Sequence, residues 1–282
     1  MNKDLKLEVL VAAIEQTDLS LYEKMNLKCD CVIANQCSTW GYQQCTVGNA
    51  EVRMINSATR GVGINRNIGL SVAKGDILLF ADDDVRYDDG SLQAVVKAFA
   101  DHPDADVIAF GITMTRGGNV EKVVAEPDCR RYLWNSMRFG ACRIAVRRDS
   151  VRKYNLRFSE LFGGGCLYGS GEDTIFVREC FRKGLRVYSS SYVLGSCARD
   201  HSTWFRGYSA KFYYDRGAML ACAFPKGKHI VKWYFAWKLR KKTGDPIAGI
   251  IRMMNAGMKG FQKNIPYSRE DHLLQEKEEG KW

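Results

Sequence analysis

The sequence predicts an α/β protein with a mainly parallel sheet and flanking helices, followed by a helical C-terminal extension. Three observations predict this class. Short apolar runs alternate with segments of helical period over the first 110 residues, and three aspartates directly follow one of these runs. From about Ser202 onward only helical patterns occur. Alternation of strand and helix is typical of sheets whose neighbouring strands run parallel.

Each predicted strand is a short apolar run that ends in polar residues. Predicted strands cover residues 5–14, 28–34, 51–55, 77–81, 106–110, 141–146 and 185–190. Predicted helices cover residues 64–73, 89–100 and 172–183, where apolar side chains recur on one helical face. The second of these helices stops at His102-Pro103 and the third at Gly184, which are ordinary stop signals.

Composition excludes several classes of protein. The 282 residues are 46% apolar, so the chain can bury a large core, and none of the ten cysteines forms a CxxC pair. No apolar run approaches the roughly 20 residues that a bilayer-spanning helix needs. The start of the chain shows no signal peptide, and with the unpaired cysteines this predicts a cytoplasmic location.

Positive charge is concentrated in one segment. The net charge is +10, and residues 226–263 hold ten basic residues and one acid, so the rest of the chain nets only +1. A protein that grips nucleic acid needs basic residues around its working face. We therefore expect no nucleic-acid partner.

Asp82, Asp83 and Asp84 follow the apolar run 77–81. Ligands of open α/β sheets bind beyond the carboxyl ends of the strands. If the backbone stays extended, Asp82 and Asp84 point the same way and can share a cation such as Mg²⁺ or Mn²⁺, with substrate phosphate completing its shell. The alternative is a solvated turn, since aspartates are common in turns.

Two stretches carry a resemblance to a known family. RGVGINRNIGLSVAKGDILLFADDDV (60–85) resembles the nucleotide-sugar-binding half of family 2 glycosyltransferases of the GT-A fold, in which a strand ends in a DxD motif. GEDTIFVRECFRKG (171–184) resembles the acceptor-side ED helix of the same family. The two motifs have the expected order and spacing, and the resemblance covers roughly residues 6–224.

The resemblance implies a division of the chain. A GT-A catalytic domain would span residues 1–224, with its nucleotide-sugar-binding half at 1–110 and its acceptor-side half at 111–224. A basic amphipathic helical region would follow at 225–282.

The resemblance also implies roles for the acids of the ED helix. Asp173 would be the general base that accepts the proton of an acceptor hydroxyl, and Glu172 would orient the acceptor or support the site. The alternative needs no chemistry, because a helix macrodipole stabilises acids in the first turn.

Several polar residues are expected to bind the donor. Arg60 and Arg66 could meet its diphosphate, with Arg66 favoured, and Asn67 could fix the loop or the nucleotide. Many family members place an aspartate on the base where this chain has Asn35 and Gln36, and an asparagine can still read uracil. The full donor-side set is Asn35, Gln36, Arg60, Arg66, Asn67, Asp82 and Asp83.

Two further features lie on the acceptor side of the chain. Gly164 and Gly165 leave backbone open before the acids, which lets a sugar approach or merely makes a flexible loop. His201 is either a third metal ligand beside Asp82 and Asp84 or a surface histidine at a helix start.

The C-terminal region combines aromatic, apolar and basic residues. Aromatics lie beside cations in residues 229–242, and Ile247, Ile250, Ile251, Met254 and Met258 share one helical stripe. Either residues 226–263 contact an anionic membrane surface, or the stripe packs on the catalytic domain and the charges are solvated.

Together these features predict a metal-dependent, inverting glycosyltransferase that uses Mn²⁺ or Mg²⁺ and a nucleotide-sugar donor, with a UDP-sugar favoured. The acceptor would be a saccharide or lipid-linked saccharide in cell-surface polysaccharide synthesis, at the cytoplasmic face of the membrane if the basic region binds it. The alternatives are a catalytically silent sugar or nucleotide binder and a membrane adaptor on the same scaffold. The sequence indicates no oligomeric state.

Overall fold

The apolar runs of the sequence form the centre of a sheet. The computed structural model describes residues 5–133, 139–198 and 207–268, and within them the sheet has eleven strands. These are β1 (Leu7–Ile14), β2 (Asp30–Gln36), β3 (Gly41–Val47), β4 (Ala50–Ser57), β5 (Ile77–Asp82), β6 (Val85–Tyr87), β7 (Val107–Arg116), β8 (Asn119–Val124), β9 (Cys129–Arg131), β10 (Ile144–Arg147) and β11 (Val187–Ala198).

Eight helices accompany these strands in the described residues. They are α1 (Leu21–Lys24), α2 (Val62–Val72), α3 (Ser91–Asp101), α4 (Arg148–Tyr154), α5 (Glu172–Arg182), α6 (Ala210–Ala223), α7 (Lys228–Thr243) and α8 (Ile247–Lys263). A short 3-10 turn, Ala141–Arg143, leads into β10.

The strand order is β3-β4-β2-β1-β5-β10-β7-β11-β6, with β8 added beside β7 and β9 beside β11. The predicted strands β4, β2, β1 and β5 pair in parallel. Beyond β5 most pairings are antiparallel, although β7 and β11 are parallel. The α/β prediction is confirmed, and the parallel part of the sheet is the part that carries Asp82.

Both faces of the sheet are covered by apolar packing. Along β5, Ile77 and Leu79 belong to one core cluster while Leu78 and Phe80 belong to the other. A strand buried on both faces reads as a continuous apolar run, which explains the pattern that precedes Asp82. Only the strand ends are left to carry polar chemistry.

The chain divides into two compact units. We call residues 1–160 and 172–202 the sheet unit, and residues 161–171 and 203–282 the helical unit. These bounds follow packing rather than function, so the division at residue 224 inferred from the resemblance remains a proposal.

In the helical unit, α8 packs on α6 through glycines. A Cβ on Gly217 would lie 2.0 Å from the Met254 carbonyl oxygen, and one on Gly257 would lie 1.9 Å from that of Tyr214. The two backbones therefore touch. Ile250, Met254 and Met258 of the predicted apolar stripe are buried. The stripe thus packs within the helical unit, and contact of residues 226–263 with a membrane stays a prediction.

Candidate active site

The three aspartates after the β5 run have three different environments. Asp82 ends β5, and its Oδ1 accepts a hydrogen bond from Arg66 Nη2 at 2.7 Å. Asp83 accepts from the Ile14 amide at 3.1 Å, and Asp84 accepts from the Cys197 thiol at 3.4 Å. Residues 83 and 84 form a turn between β5 and β6, so the extended backbone that the sequence argument assumed ends at Asp82.

The chemistry of this carboxylate cluster fits a divalent cation. Burial and the neighbouring Asp82 charge raise the pKa of Asp83, and the same two causes raise the pKa of Asp84 to about 6. Negative charge here is therefore poorly compensated, and oxygen donors suit Mg²⁺ or Mn²⁺. In residues 5–133, 139–198 and 207–268, no three His, Cys, Asp or Glu side chains are grouped to hold a metal.

Arg66 joins the end of β5 to the start of α5. Its guanidinium is buried and contacts Asp82 through Nη2, while Nη1 donates to Glu172 Oε1 at 3.1 Å and lies 3.7 Å from Asp173 Oδ1. The residues in contact are 16 and 106 positions apart in the sequence. The Arg66 guanidinium thus contacts both motifs of the resemblance, the aspartates after β5 and the ED helix.

Glu172 and Asp173 form a coupled acid pair at the start of α5. Burial and the adjacent Glu172 charge raise the pKa of Asp173 well above its ordinary value, although Arg66 opposes the shift. Burial also acts on Glu172, but Arg66 and a hydrogen bond from Asp173 outweigh it and lower the Glu172 pKa. The two carboxyls therefore differ in their pKa, with that of Asp173 shifted upward and that of Glu172 shifted downward.

Asp173 also has an unused oxygen. Its Oδ1 is buried and accepts no hydrogen bond from any residue that the structure describes. About a third of the side chain is still exposed, at 32%. Since Oδ1 itself is buried, the exposed remainder of the side chain is the part that an incoming group can reach.

Two anchors fix the helix that carries Arg66. On one side Asn65 Nδ2 donates to the Ala13 carbonyl at 3.1 Å. On the other, Asn67 Nδ2 donates to the Phe158 carbonyl at 3.0 Å, and Asn67 Oδ1 accepts from the Phe158 amide at 2.8 Å. Asn67, expected to bind the donor, thus holds the polypeptide backbone and acts on the site through Arg66.

An aromatic cluster supports Arg66 and α5 together. The Arg66 guanidinium lies 5.2 Å from the centre of the Phe158 ring, and Phe158 stacks on Phe176 of α5 at 4.3 Å. Phe80 of β5 meets both rings edge-on. These residues were missed in the sequence, where the only signal is the Asn65-Arg66-Asn67 run, since three polar residues inside a helix between apolar strands indicate buried partners.

Asn35 and Gln36 hold loops around the carboxyl edge of the sheet. Asn35 is fully buried, and its amide bonds with the backbone of Gln16 and the side chain of Asn56. Gln36 Oε1 accepts from the Gly61 amide at 2.6 Å, just before α2. Arg60, next to this contact, is exposed. The two amides therefore shape the edge, while Arg60 is accessible to a ligand.

Three expected residues remain. Gly164 and Gly165 belong to segment 161–171 of the helical unit, where Gly165 has a φ of +77° and the Gly163 amide donates to the Tyr168 carbonyl at 2.8 Å. The segment is thus an ordered loop. His201 lies outside the described residues, and its role as a metal ligand stays a prediction.

Comparison with solved structures supports the same fold. TarS 1–349 of S. aureus in complex with UDP-GlcNAc has a TM-score of 0.58 at 16% identity, covering 94% of this chain and 93% of that one. TarS 1–349 without a named ligand has a TM-score of 0.55 at 18% identity, with 77% and 65% covered. The longer TarS chain has a TM-score of 0.57 at 17% identity, and 82% of this chain spans 43% of it.

Comparison of sequences gives the family. No curated protein matches the chain, but the model of glycosyl transferase family 2 matches residues 6–154, which is more than half of it. The match includes Arg66 and the three aspartates, and the acid pair that Arg66 binds follows it in the sequence. The chain belongs to glycosyl transferase family 2 and is a glycosyltransferase of the GT-A fold.

Proposed function

We propose that the chain transfers a sugar from a nucleotide-sugar donor to an acceptor hydroxyl, with inversion at the anomeric carbon. The observation that carries this proposal is the buried Arg66 guanidinium, which holds Asp82 of the donor side and the Glu172–Asp173 pair in one site. A UDP-sugar is the first donor to try, because TarS, with a similar fold, was solved with UDP-GlcNAc.

Asp82 and Asp84 are the residues that would hold Mn²⁺ or Mg²⁺. The ion, when bound, supplies positive charge that stabilises the leaving diphosphate. Asp83, tied to the Ile14 amide, would keep the turn in place beside it. Arg60 is exposed at the same edge and would meet phosphate oxygens directly.

Asp173 would act as the general base. Its ionised form accepts the proton of the acceptor hydroxyl as that oxygen bonds to the anomeric carbon and the bond to the diphosphate breaks. One base opposite the departing group is what a single displacement requires, and a single displacement inverts the configuration. Glu172 accepts a hydrogen bond from Arg66 and would thereby orient the neighbouring Asp173.

The proposal extends to the acceptor and to the place where the protein meets it. We expect a saccharide or lipid-linked saccharide that belongs to a cell-surface polysaccharide, met at the cytoplasmic face of a membrane by residues 226–263. In the described part of the chain no helix is long and apolar enough to cross a bilayer. Contact with a membrane would therefore be made from its surface by these residues.

A thermal-shift screen with UDP-GlcNAc, UDP-glucose, UDP-galactose and GDP-mannose, each with and without Mn²⁺, tests donor and metal together. We expect one donor to raise the melting temperature only with Mn²⁺. Release of the nucleoside diphosphate in the same samples then separates a working enzyme from a silent binder.

Asp82→Asn is the informative variant, and Asp101→Asn is its matched control. Asp101 ends α3 and, among the residues that the structure describes, forms its ion pair with the exposed Lys97, so its loss should leave donor binding unchanged. Equal donor stabilisation in wild type and Asp82→Asn would refute the donor site. Stabilisation without any diphosphate release, under all acceptors tried, would favour the silent binder.

A further inference from the structure

Helix α7 presents apolar side chains on the face opposite to the one that contacts α6 and α8. Four large residues of this helix are exposed: Ile230 at 81%, Trp233 at 56%, Tyr234 at 45% and Trp237 at 51%. At about 100° of rotation per residue, all four fall within an arc of about 100°. They form one continuous surface, which we call the aromatic row.

The opposite face of α7 is the one that packs. Lys232 and Ala236 are buried, and Lys232 Nζ donates to Asn255 Oδ1 of α8 at 2.8 Å. The Arg216 guanidinium of α6 lies 5.8 Å from the Phe235 ring. The helical unit therefore already holds α7 by its other side, and the aromatic row is surplus to that packing.

The aromatic row differs in this respect from the stripe on α8. Met253, Met254 and Met258 are covered within the helical unit. Scattered single apolar residues on a surface need no explanation, but a row with two tryptophans on one helical face marks a binding surface. Of the two apolar surfaces in this region, only that of α7 is open to a partner.

The charges of α7 indicate the kind of partner. The helix has six lysines and arginines and no acid. Lys238, Arg240, Lys241 and Lys242 are exposed beside the aromatic row, and Lys241 Nζ lies 3.9 Å from the Trp237 ring centre. Tryptophan and tyrosine flanked by cations are the composition of helices that lie in the headgroup region of a bilayer.

We propose that the aromatic row of α7 inserts into the surface of an anionic lipid bilayer, with the flanking cations on the lipid headgroups. Interfacial helices bury their apolar face about 5–10 Å into the headgroup and acyl boundary. A second copy of the chain is a poorer occupant, because a symmetric contact would place these basic residues against one another. This inference rests on the membrane contact that the proposed function assigns to residues 226–263, and it places that contact on α7.

Vesicle flotation with the full chain tests the proposal. The probes are neutral phosphatidylcholine vesicles and vesicles in which about a third of the lipid is phosphatidylglycerol. We expect at least about tenfold tighter binding to the anionic vesicles, decreasing with salt, because each cation near such a surface adds to the attraction. The double variant Trp233→Ala and Trp237→Ala should lose about tenfold or more of this binding.

The matched control is Trp40→Ala, which removes a tryptophan that is 69% exposed in the sheet unit and should leave flotation unchanged. Ile230→Asn gives an independent reading of the aromatic row if the double variant melts at a lower temperature. Unchanged flotation in both α7 variants would overturn the proposal. So would a tryptophan variant that dissociates a dimer in light scattering without any loss of vesicle binding. Diphosphate release, measured without vesicles, should be the same in all these variants, which separates this proposal from the catalytic one.

Discussion

Two buried arginines, Arg53 at the amino edge of the sheet and Arg66 at the carboxyl edge, differ in how fully the carboxylates beside them are compensated. Arg53 meets the buried Glu8 at 2.5 Å, and the second oxygen of Glu8 accepts from the amides of Lys74 and Gly75. That carboxylate is fully partnered. Arg66 instead serves three carboxylates, and Asp173 keeps an oxygen without a hydrogen-bond partner in the described residues.

The difference separates a structural ion pair from a working site. A buried charge is tolerated when a partner and hydrogen bonds replace its hydration, as at Glu8. An excess of carboxylates over cations is costly until a cation or a substrate arrives, and perturbed titration is characteristic of functional sites. The amino edge should therefore matter for stability and the carboxyl edge for turnover.

The largest expected effect is that of Asp173→Asn. An asparagine cannot accept the hydroxyl proton, so we expect a loss of about 10²- to 10⁴-fold in kcat. The melting temperature should stay equal or rise, because an amide stays neutral beside Glu172, where an ionised carboxylate would be repelled. Steady-state transfer assays and thermal melts measure the two quantities.

The control for this variant is Asp149→Asn, which also removes an aspartate from the first turn of a helix, α4. It should retain full kcat, since Asp149 is exposed and has no site partner. Equal activity in Asp173→Asn and wild type would show that the base lies elsewhere.

Glu8→Ala should have the next largest effect, on stability alone. It leaves buried Arg53 with only the longer contact to Glu51 at 3.4 Å, and breaking a buried pair costs about 3–5 kcal/mol of unfolding free energy. Urea denaturation measures this loss. The kcat of the folded fraction at low temperature should be unchanged, and a large fall in kcat would remove the contrast between the two edges.

The pH dependence of rate and of stability should run in opposite directions at the carboxyl edge. Burial and Glu172 raise the pKa of Asp173, so kcat should rise about tenfold per pH unit until that pKa is passed. Above the unfolded pKa of about 4, the unfolded chain has lost a proton that folded Asp173 keeps, so the unfolding free energy falls as pH rises through the folded pKa.

Profiles of kcat and of urea midpoint against pH test this prediction. In Asp173→Asn, the increase of kcat with pH and the decrease of the urea midpoint with pH should both disappear. A wild-type urea midpoint that increases over the pH range in which kcat increases would contradict the assignment of the raised pKa to Asp173.

The smallest expected effect is that of Lys97→Met. The Lys97–Asp101 pair on α3 is solvent-exposed, and such pairs contribute less than about 1 kcal/mol. A change in urea midpoint smaller than that of Glu8→Ala by a factor of about five is expected. A comparable loss would mean that exposure does not distinguish the ion pairs of this protein.

The acids of the proposed site could be picked out from the sequence, because their signals are local. Asp82 follows an apolar strand, and Glu172 and Asp173 open a helix. The joint role of Arg66 could not be predicted, since its partners are 16 and 106 residues away. The contact of Asn67 with Phe158 could not be predicted either, since the two residues are 91 positions apart.

Two of the strands missed in the sequence, β3 and β8, are largely exposed. β8 has almost no buried side chain, so its residues show no apolar alternation. β3 is the edge of the sheet and is largely exposed as well. On α7 the difficulty is the reverse. Apolar residues occur on both its packed and its outward side, so periodicity alone does not indicate which side faces the protein.

The glycine contacts between α6 and α8 bear on how a mutational survey of this chain should be interpreted. Any side chain at Gly217 or Gly257 would force the two helices apart, so replacements at either position should be among the least tolerated in the helical unit. Such intolerance measures steric exclusion, not participation in the reaction. A survey scored by growth or yield would rank these glycines beside Asp173, and only separate measurements of folding and turnover would tell the two groups apart.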